Sequence, residues 1–255
     1  EVIHDKNNMD SPQIKEVNET VFNKKKKFKG ELDYVSKNGK IIHSNVHVIP
    51  LFNSENELDK YFVMGSDITE MKIISKQLSI INTIESTILT SNNTIELIEN
   101  TLNTTYKTLP IYLANLSVFN FDKGNYKSYT LVNGELLSKT LPLSSFQKVN
   151  LLQEGNTQII LNSENFEFTS NSNNDEEKLT ILTPLYVKKQ LIGSFNVCFD
   201  KENKTGIENY KKITAEVAKG LAVALQQNEL NDEIYNSNIE IKTLLDEAKK
   251  REEEL

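Results

Sequence analysis

The chain has 255 residues, a length that fits one or two domains. Its 38% hydrophobic content is enough for packed cores, which excludes a wholly disordered chain. It carries 29 Lys and Arg against 36 Asp and Glu, a net charge of −7, and Arg251 is its single arginine. This acidity argues against a nucleic-acid backbone or an anionic membrane as the main partner.

The cellular compartment can be predicted from features that are absent from the sequence. The single cysteine, Cys198, cannot form an internal disulfide, so nothing indicates an oxidising compartment. No apolar run approaches the roughly 18 residues that span a bilayer, and there is neither a signal-peptide pattern nor an initiator methionine. We therefore expect a cytoplasmic piece of a longer protein, without membrane contact of its own. A membrane anchor elsewhere in the parent protein is compatible with this expectation.

The first third of the chain predicts one helix and then three strands. Ser11 and Pro12 are typical of a helix start, and apolar residues at helical spacing follow as far as Phe22. The strand-like runs cover 28–35, 40–51 and 61–66. Between the first two, Asn38-Gly39 is a strong hairpin signal.

From Thr69 the hydrophobic period changes from that of a strand to that of a helix. The apolar stripe is formed by Met71, Ile74, Leu78, Ile81, Ile84 and Ile88. Two interpretations stay open, because the stripe suits either the core of a second unit or a dimer seam. A further helix is predicted from about Thr94 to Thr108.

The middle of the chain predicts a second antiparallel sheet. Its strands are expected at 114–121, 126–132, 157–161, 179–187 and 191–199, with a short helix at 144–154. No element is assigned to 135–143. The polar segment 162–178 is predicted to be a mobile loop, and either a lid over a pocket or simple disorder would fit it.

The last 49 residues, 207–255, contain no proline and predict one helix of about 73 Å at 1.5 Å per residue. Such a length is typical of a coiled coil. Ile234, Ile241 and Ala248 lie seven residues apart, and Leu244 lies in a companion row that is half polar. We expect Ile234, Ile241, Leu244 and Ala248 to form the marginal seam of a parallel homodimer.

Several short motifs occur in order within residues 1–72. They are Ile3-His4-Asp5, Phe28–Leu32, Lys37–Lys40, Val48–Leu51 and Gly65–Glu70. In this order they resemble the second half of a PAS domain with its C-terminal PAC segment, although the first motif lacks the family's usual proline. Asp67, Ile68 and Thr69 resemble the family's exit signature. Asp67 or Thr69 can cap the following helix, so we expect these three residues to form a signal-transfer junction.

A second resemblance begins near residue 75 and extends to about 230. Leu182-Thr183-Pro184-Leu185 is followed by Leu191–Val197 and then by a helix that carries Leu221 and Leu225. This hairpin and helix resemble the end of a GAF domain. Cyclic-nucleotide-binding relatives carry an acidic pair where this chain has Thr214-Ala215, and that departure speaks against a cyclic nucleotide.

Together these features predict an α+β chain with four parts. Residues 1–72 are expected to hold a partial PAS antiparallel sheet, and 73–93 a connecting helix. Residues 94–230 are expected to form a GAF antiparallel sheet with flanking helices, whose first helix falls within 73–93. Residues 231–255 are expected to be a coiled-coil signalling helix.

Catalytic chemistry is not expected in this chain. It shows no nucleophile with a base and an orienting group, no Gly-rich phosphate loop and no paired carboxylates. His43 and His47 share a strand face about 13 Å apart at 3.3 Å per residue, too far to bind one metal. Cys198 is expected to be a buried strand thiol. The sequence requires no cofactor, and neither haem nor bilin is expected.

PAS and GAF modules in tandem before a coiled helix resemble the sensory part of signal-transduction proteins. The resemblance implies a sensor histidine kinase of a two-component system, with a small-molecule ligand in the PAS or GAF pocket. The signal would pass through dimeric helices to an output domain beyond residue 255 or to a response regulator. The alternatives are the sensor of a diguanylate cyclase and a ligand-free dimerisation scaffold. A thiol enzyme of the methionine-sulfoxide-reductase type is disfavoured, because the chain has one cysteine.

Overall fold

The computed structural model describes residues 12–36, 39–91, 93–132, 134–146, 149–162, 178–199 and 206–253. The chain divides into two compact units, Glu1–Leu78 and Ser79–Leu255. Each unit contains its own antiparallel sheet, with three strands in the first and six in the second. Together with the helices, this arrangement confirms the predicted α+β class.

The first unit consists of one helix and three sequential strands. Its elements are α1 at Pro12–Asn18, a π-helical turn at Glu19–Asn23, β1 at Phe28–Val35, β2 at Ile41–Phe52 and β3 at Leu58–Asp67. The sheet order is β1-β2-β3. β3 begins three residues earlier than predicted. The reason is a tight turn, in which the Asn53 side chain accepts hydrogen bonds from the backbone N–H groups of Glu55 and Glu57.

The core of the first unit is small and lies on one face of its sheet. Along β2 the side chains alternate strictly, so that Val46 and Val48 are buried between more exposed neighbours. They pack with Val21 of the π-helical turn and Phe28 of β1. β3 contributes little to this core, because most of its residues are exposed.

Helix α2, Thr69–Thr90, starts in the first unit and ends in the second. The apolar stripe along it divides at the same place. Ile84 and Ile88 are buried in the core of the second unit, whereas Met71 is 62% exposed and Leu78 is 53% exposed. The core interpretation is therefore confirmed for the second half of the stripe, and the first half is largely exposed.

The second unit contains the larger sheet and most of the helices. Its elements are α3 (Thr94–Thr108), β4 (Leu113–Asn120), β5 (Asn125–Val132), β6 (Glu135–Pro142), a 3-10 turn (Leu143–Ser145), α4 (Val149–Gln153), β7 (Gln158–Asn162), β8 (Lys178–Val187), β9 (Gln190–Phe199) and α5 (Ile207–Glu253). The strand order is β6-β5-β4-β9-β8-β7, and all neighbours are antiparallel.

Two features of this unit differ from the predictions. β6 pairs with β5 as a hairpin in which Val132 lies opposite Glu135, and Gly134 before β6 has φ 82°. The segment 135–143, left without an element, is therefore mostly strand. The single helix predicted at 144–154 is instead the 3-10 turn and α4, since Leu143–Ser145 and Val149–Gln153 are separate elements.

One face of the large sheet packs against helices, and we call it the helix face. Leu116, Leu131, Phe195 and Val197 of the central strands lie in one core with residues of α2, α3 and α5. On α5 that core extends as far as Leu225. From Glu229 to Ala248 every residue of the helix is exposed. The first part of α5 therefore belongs to the domain core, and the later part projects from it.

Candidate functional site

The junction between the first sheet and α2 is fixed by hydrogen bonds to one residue of β2. The Ile68 N–H donates to the His43 carbonyl oxygen at 2.8 Å, and the His43 N–H donates to Thr69 Oγ1 at 2.9 Å. The Asp67 carboxylate caps the helix by accepting from the Thr69 N–H at 2.8 Å. Of the three residues expected at the junction, Ile68 and Thr69 therefore bond to His43, which the sequence had marked only as a strand histidine, and Asp67 bonds to Thr69.

Charged side chains extend this junction to β1. His43 Nδ1 lies 2.6 Å from Asp33 Oδ1, and Lys72 Nζ in the first turns of α2 lies 2.5 Å from Glu31 Oε2. Hydrogen bonds from the side chain and backbone of Thr69 lower the pKa of Asp67. The hydrogen bond with Glu31 raises the pKa of Lys72. The start of α2 is thus attached to β2 through hydrogen bonds and to β1 through charge.

The second candidate site is the face of the large sheet opposite the helix face. Eight polar or thiol side chains on four adjacent strands lie there, each at most 2% exposed, and we call them the polar face: Asn115, Ser117, Ser128, Thr130, Thr180, Ser194, Asn196 and Cys198. Buried strands usually carry apolar side chains on such a surface. A polar surface of this size in the interior therefore requires an explanation.

The polar face is organised around the side-chain amide of Asn115. Its Nδ2 donates to Ser128 Oγ and to Thr130 Oγ1, both at 2.8 Å. Its Oδ1 accepts from Ser117 Oγ at 3.1 Å and from Asn196 Nδ2 at 3.0 Å. One network thereby connects β5, β4 and β9, which rigidifies the centre of the sheet.

Asn196 is incompletely paired. Its Nδ2 donates to Asn115 and also to Ser194 Oγ at 3.1 Å, yet its Oδ1 has no hydrogen-bond partner among the described residues. A buried acceptor without a donor is destabilising. Asn196 is therefore the position on the polar face that can accept a hydrogen bond from a further molecule.

The other candidate residues lie apart from both sites. Cys198 is buried, as predicted, with its Sγ 3.2 Å from Thr180 Oγ1. Ile234, Ile241 and Leu244 on α5 are 59%, 55% and 58% exposed, and Ala248 is exposed as well. Outside the described residues lie Ile3-His4-Asp5, Ser11, Asn38, the segment 163–177, Asn203-Lys204 and Leu255.

The described part of the chain lacks two further features. No group of three or more His, Cys, Asp or Glu side chains is placed so that it could hold a metal ion. Within the same residues, no helix combines the length and hydrophobicity that a transmembrane helix requires.

Known proteins resemble this chain in their fold but not closely in their sequence. No family model matches the chain, and no curated protein matches it. Among solved structures, a GAF domain of A. aeolicus nlh2 in an inactive state matches 61% of this chain and 98% of its own, at 13% identity and a TM-score of 0.50. A GAF domain of a Coxiella burnetii phosphoenolpyruvate-protein phosphotransferase matches 62% and 98%, at 14% identity and a TM-score of 0.51.

The second unit has the GAF fold. The predicted resemblance is therefore confirmed at the level of fold. The segments Leu182–Leu185 and Leu191–Val197 lie in the hairpin formed by β8 and β9. Sequence reasoning did not find the polar face, although Ser194, Asn196 and Cys198 alternate with Phe195 and Val197 along β9.

Proposed function

We propose that this chain is the sensory and regulatory module of a signal-transduction protein. In this proposal the first unit is the second half of a PAS domain, a small molecule acts on that domain or on the GAF-like unit, and helices α2 and α5 carry the change to an output domain. The observation that carries the proposal is the attachment of Ile68 and Thr69 to His43. It is a direct mechanical connection between a sheet and the helix that leaves it.

The finer part of the proposal concerns the output. A sensor histidine kinase of a two-component system fits a module in which sheets precede a long exposed helix, and a diguanylate cyclase would use the same arrangement. The order of β1, β2 and β3 followed by α2 supports the PAS assignment. A displacement of the sheet alters α2 only if the signal binds two conformations with different affinity.

The proposed dimer uses the projecting half of α5. Ile234, Ile241, Leu244 and Ala248 would form the seam, because two rows of residues four and three apart face one partner in a parallel coiled coil. The seam side chains are exposed in the single chain, so pairing would remove apolar surface from water. The exposed first half of the α2 stripe offers a second surface of the same kind.

The dimer is tested by light scattering after size exclusion at micromolar concentration. We expect a dimer for the wild-type chain and a monomer for Ile241→Asp and Leu244→Asp, because a charge in the seam is desolvated without a partner. Ile239→Asp is the matched control, since Ile239 is also exposed on α5 but lies outside the seam. A monomeric wild type, or equal effects of all three variants, would refute the proposed seam.

The junction is tested separately by hydrogen exchange. Thr69→Val removes the hydroxyl oxygen that accepts from the His43 N–H and keeps the branched shape. We expect faster exchange at the His43 and Ile68 amides and in the first turn of α2. Thr83→Val is the control, because the Thr83 hydroxyl bonds only within α2, to the Ser79 carbonyl oxygen. Unchanged protection in Thr69→Val would contradict the connection.

A further inference from the structure

Strand β3 of the first unit is exposed along nearly its whole length. Every residue from 59 to 67 is exposed, although β3 pairs with β2 along one edge. In the described part of the chain no strand pairs with its other edge. Four consecutive apolar side chains in the middle of β3 are each 49% to 57% exposed: Tyr61, Phe62, Val63 and Met64. An open edge that is apolar on both faces is a template for a further strand.

The two edges of this sheet differ in charge. Charged side chains on an edge strand discourage pairing with another chain. β1, at the other end of the sheet, carries Lys29, Glu31 and Asp33. β3 has no charged residue between Lys60 and Asp67. The β1 edge is therefore protected by charge, and the β3 edge is not.

The hydrogen bonds of the sheet show which residues of β3 face the open edge. The Ile68 N–H donates to the His43 carbonyl oxygen, and these residues lie opposite each other in the continued register of β2 and β3. In an antiparallel pair, residues that bond to the partner alternate with residues whose N–H and C=O groups point away from it. Phe62 and Met64 therefore bond to β2, whereas Tyr61 and Val63 direct their backbone groups to the open edge.

We propose that β3 pairs with β3 of a second copy of this chain, antiparallel, about a two-fold axis at Phe62. In this register Phe62 lies opposite Phe62 of the second copy, and Tyr61 lies opposite Val63. Since the backbone groups of Tyr61 and Val63 face the open edge, each Tyr61–Val63 pair would exchange both of its backbone hydrogen bonds. Aromatic and β-branched side chains are favourable cross-strand neighbours.

Charge and symmetry favour this arrangement over its alternatives. An axis at Val63 would bring Asp59 towards Asp67 of the second copy, and like charges across a strand pair are destabilising. An axis at Tyr61 would place Lys60 opposite Phe62. After pairing about Phe62, only the charged β1 edges remain at the two ends of the joined sheet. A two-fold contact of this kind is closed, so the pairing stops at two copies.

Disulfide trapping tests the register. Opposite residues at a non-hydrogen-bonded position have Cα atoms about 4.5 Å apart, within the range of about 4.4–6.8 Å that a disulfide spans. Phe62→Cys should therefore link two copies under mild oxidation. Lys60→Cys is the matched control, because Lys60 is exposed on the same strand and its two copies would lie four residues out of register, about 14 Å apart. The native Cys198 is buried.

We expect at least about tenfold more linked dimer from Phe62→Cys than from Lys60→Cys, because only the first pair of thiols meets the distance requirement. Sedimentation velocity then measures the pairing without a cross-link. The chain used carries Ile241→Asp, so that the proposed α5 seam does not contribute. A contact between two short strands belongs to the small, weak class of interfaces, so the range is about 10 to about 500 micromolar. We expect a shift from monomer to dimer across this range.

Two substitutions at Val63, added to the Ile241→Asp chain, locate the contact. Val63→Pro removes the N–H group that faces the open edge, a change that edge strands tolerate on their free side. It should abolish the shift to dimer. Val63→Thr keeps the N–H group and the branched shape, and it should retain the shift. Circular dichroism of both variants shows whether they fold. Should Val63→Pro not fold, the comparison of the two cysteine variants decides alone.

The opposite results would overturn the inference. Equal yields of linked dimer from both cysteine variants would refute the register. A chain with Ile241→Asp that stays monomeric at the highest concentration would refute the pairing, and the β3 edge would then be left to a strand of another kind. Association of folded Val63→Pro as strong as that of Val63→Thr would place the contact elsewhere. The light-scattering test of the α5 seam, made at lower concentration, does not depend on these results.

Discussion

Replacement of Gly193 by alanine tests how closely the two central strands of the large sheet approach each other. A Cβ atom at Gly193 would lie 2.1 Å from the Ser117 carbonyl oxygen and 3.2 Å from the Ser117 carbonyl carbon. Ordinary contacts of a Cβ atom begin at 3.4 Å, so β4 and β9 would have to separate by about 1.3 Å, the difference between 3.4 and 2.1 Å. Since both clashing partners are backbone, no side-chain rotation relieves the contact.

The expected cost is about 1–3 kcal/mol of unfolding free energy, the usual range for overpacking a core. We expect the upper part of this range, because β4 and β9 are the two middle strands of the sheet. The measurement is urea denaturation followed by far-ultraviolet circular dichroism, with the slope of the transition compared between variants. A lower midpoint at an unchanged slope is the expected result.

Gly220→Ala supplies a control with the same chemical change and the opposite sign. Gly220 lies inside α5, and a Cβ atom there would meet Ile88 Cδ1 at 3.6 Å, an ordinary contact. Alanine should therefore raise the unfolding free energy by about 0.5–1 kcal/mol through helix propensity. If Gly193→Ala is neutral, or if the two glycine variants change stability in the same direction, the packing argument is wrong.

The remaining predictions concern α2 and its cap. Ile84→Ala should destabilise the chain by about 2–5 kcal/mol, because Ile84 is fully buried. Leu78→Ala should change the unfolding free energy by less than about 0.5 kcal/mol, because Leu78 is exposed. Urea denaturation of both variants measures the difference. The lowered pKa of Asp67 means that its carboxylate stabilises the fold above its ordinary pKa of 3.8, and this contribution is lost as pH falls through the lower folded value. Asp67→Ala should therefore flatten the dependence of stability on pH between about pH 2 and 5, and an unaltered dependence would contradict the cap.

Most strands could be predicted from the sequence because their hydrophobic pattern and turns agree. β6 is the instructive exception. Its sequence alternates poorly, and as the edge strand it is mostly exposed, so no apolar face marks it. The signal that could have found it is Asn133-Gly134, the same hairpin dipeptide that indicated the turn between β1 and β2.

The packing partner of a helix or strand face is harder to predict than the helix or strand itself. The spacing from Met71 to Ile88 identifies a helix, but periodicity cannot say that Ile84 packs in a core while Leu78 is exposed. The polar face was missed for a related reason. Polar residues that alternate with apolar ones, such as Asn115 and Ser117 on β4, predict a solvated strand face. Their burial depends on the tertiary structure, which the strand pattern does not encode.

The neighbouring position of β4 and β9 also has a consequence for how the chain folds. Asn115 and Asn196 bond across this pair although 81 residues separate them in sequence. β4, β5 and β6 can pair through short loops as soon as they are synthesised, but β4 keeps one open edge until β9 has left the ribosome. The closing of that long loop is entropically the slowest step of sheet assembly. Until β9 arrives, the nascent chain therefore exposes the β4 edge and leaves Asn115 without its Asn196 partner, and this interval is when aggregation is most favoured.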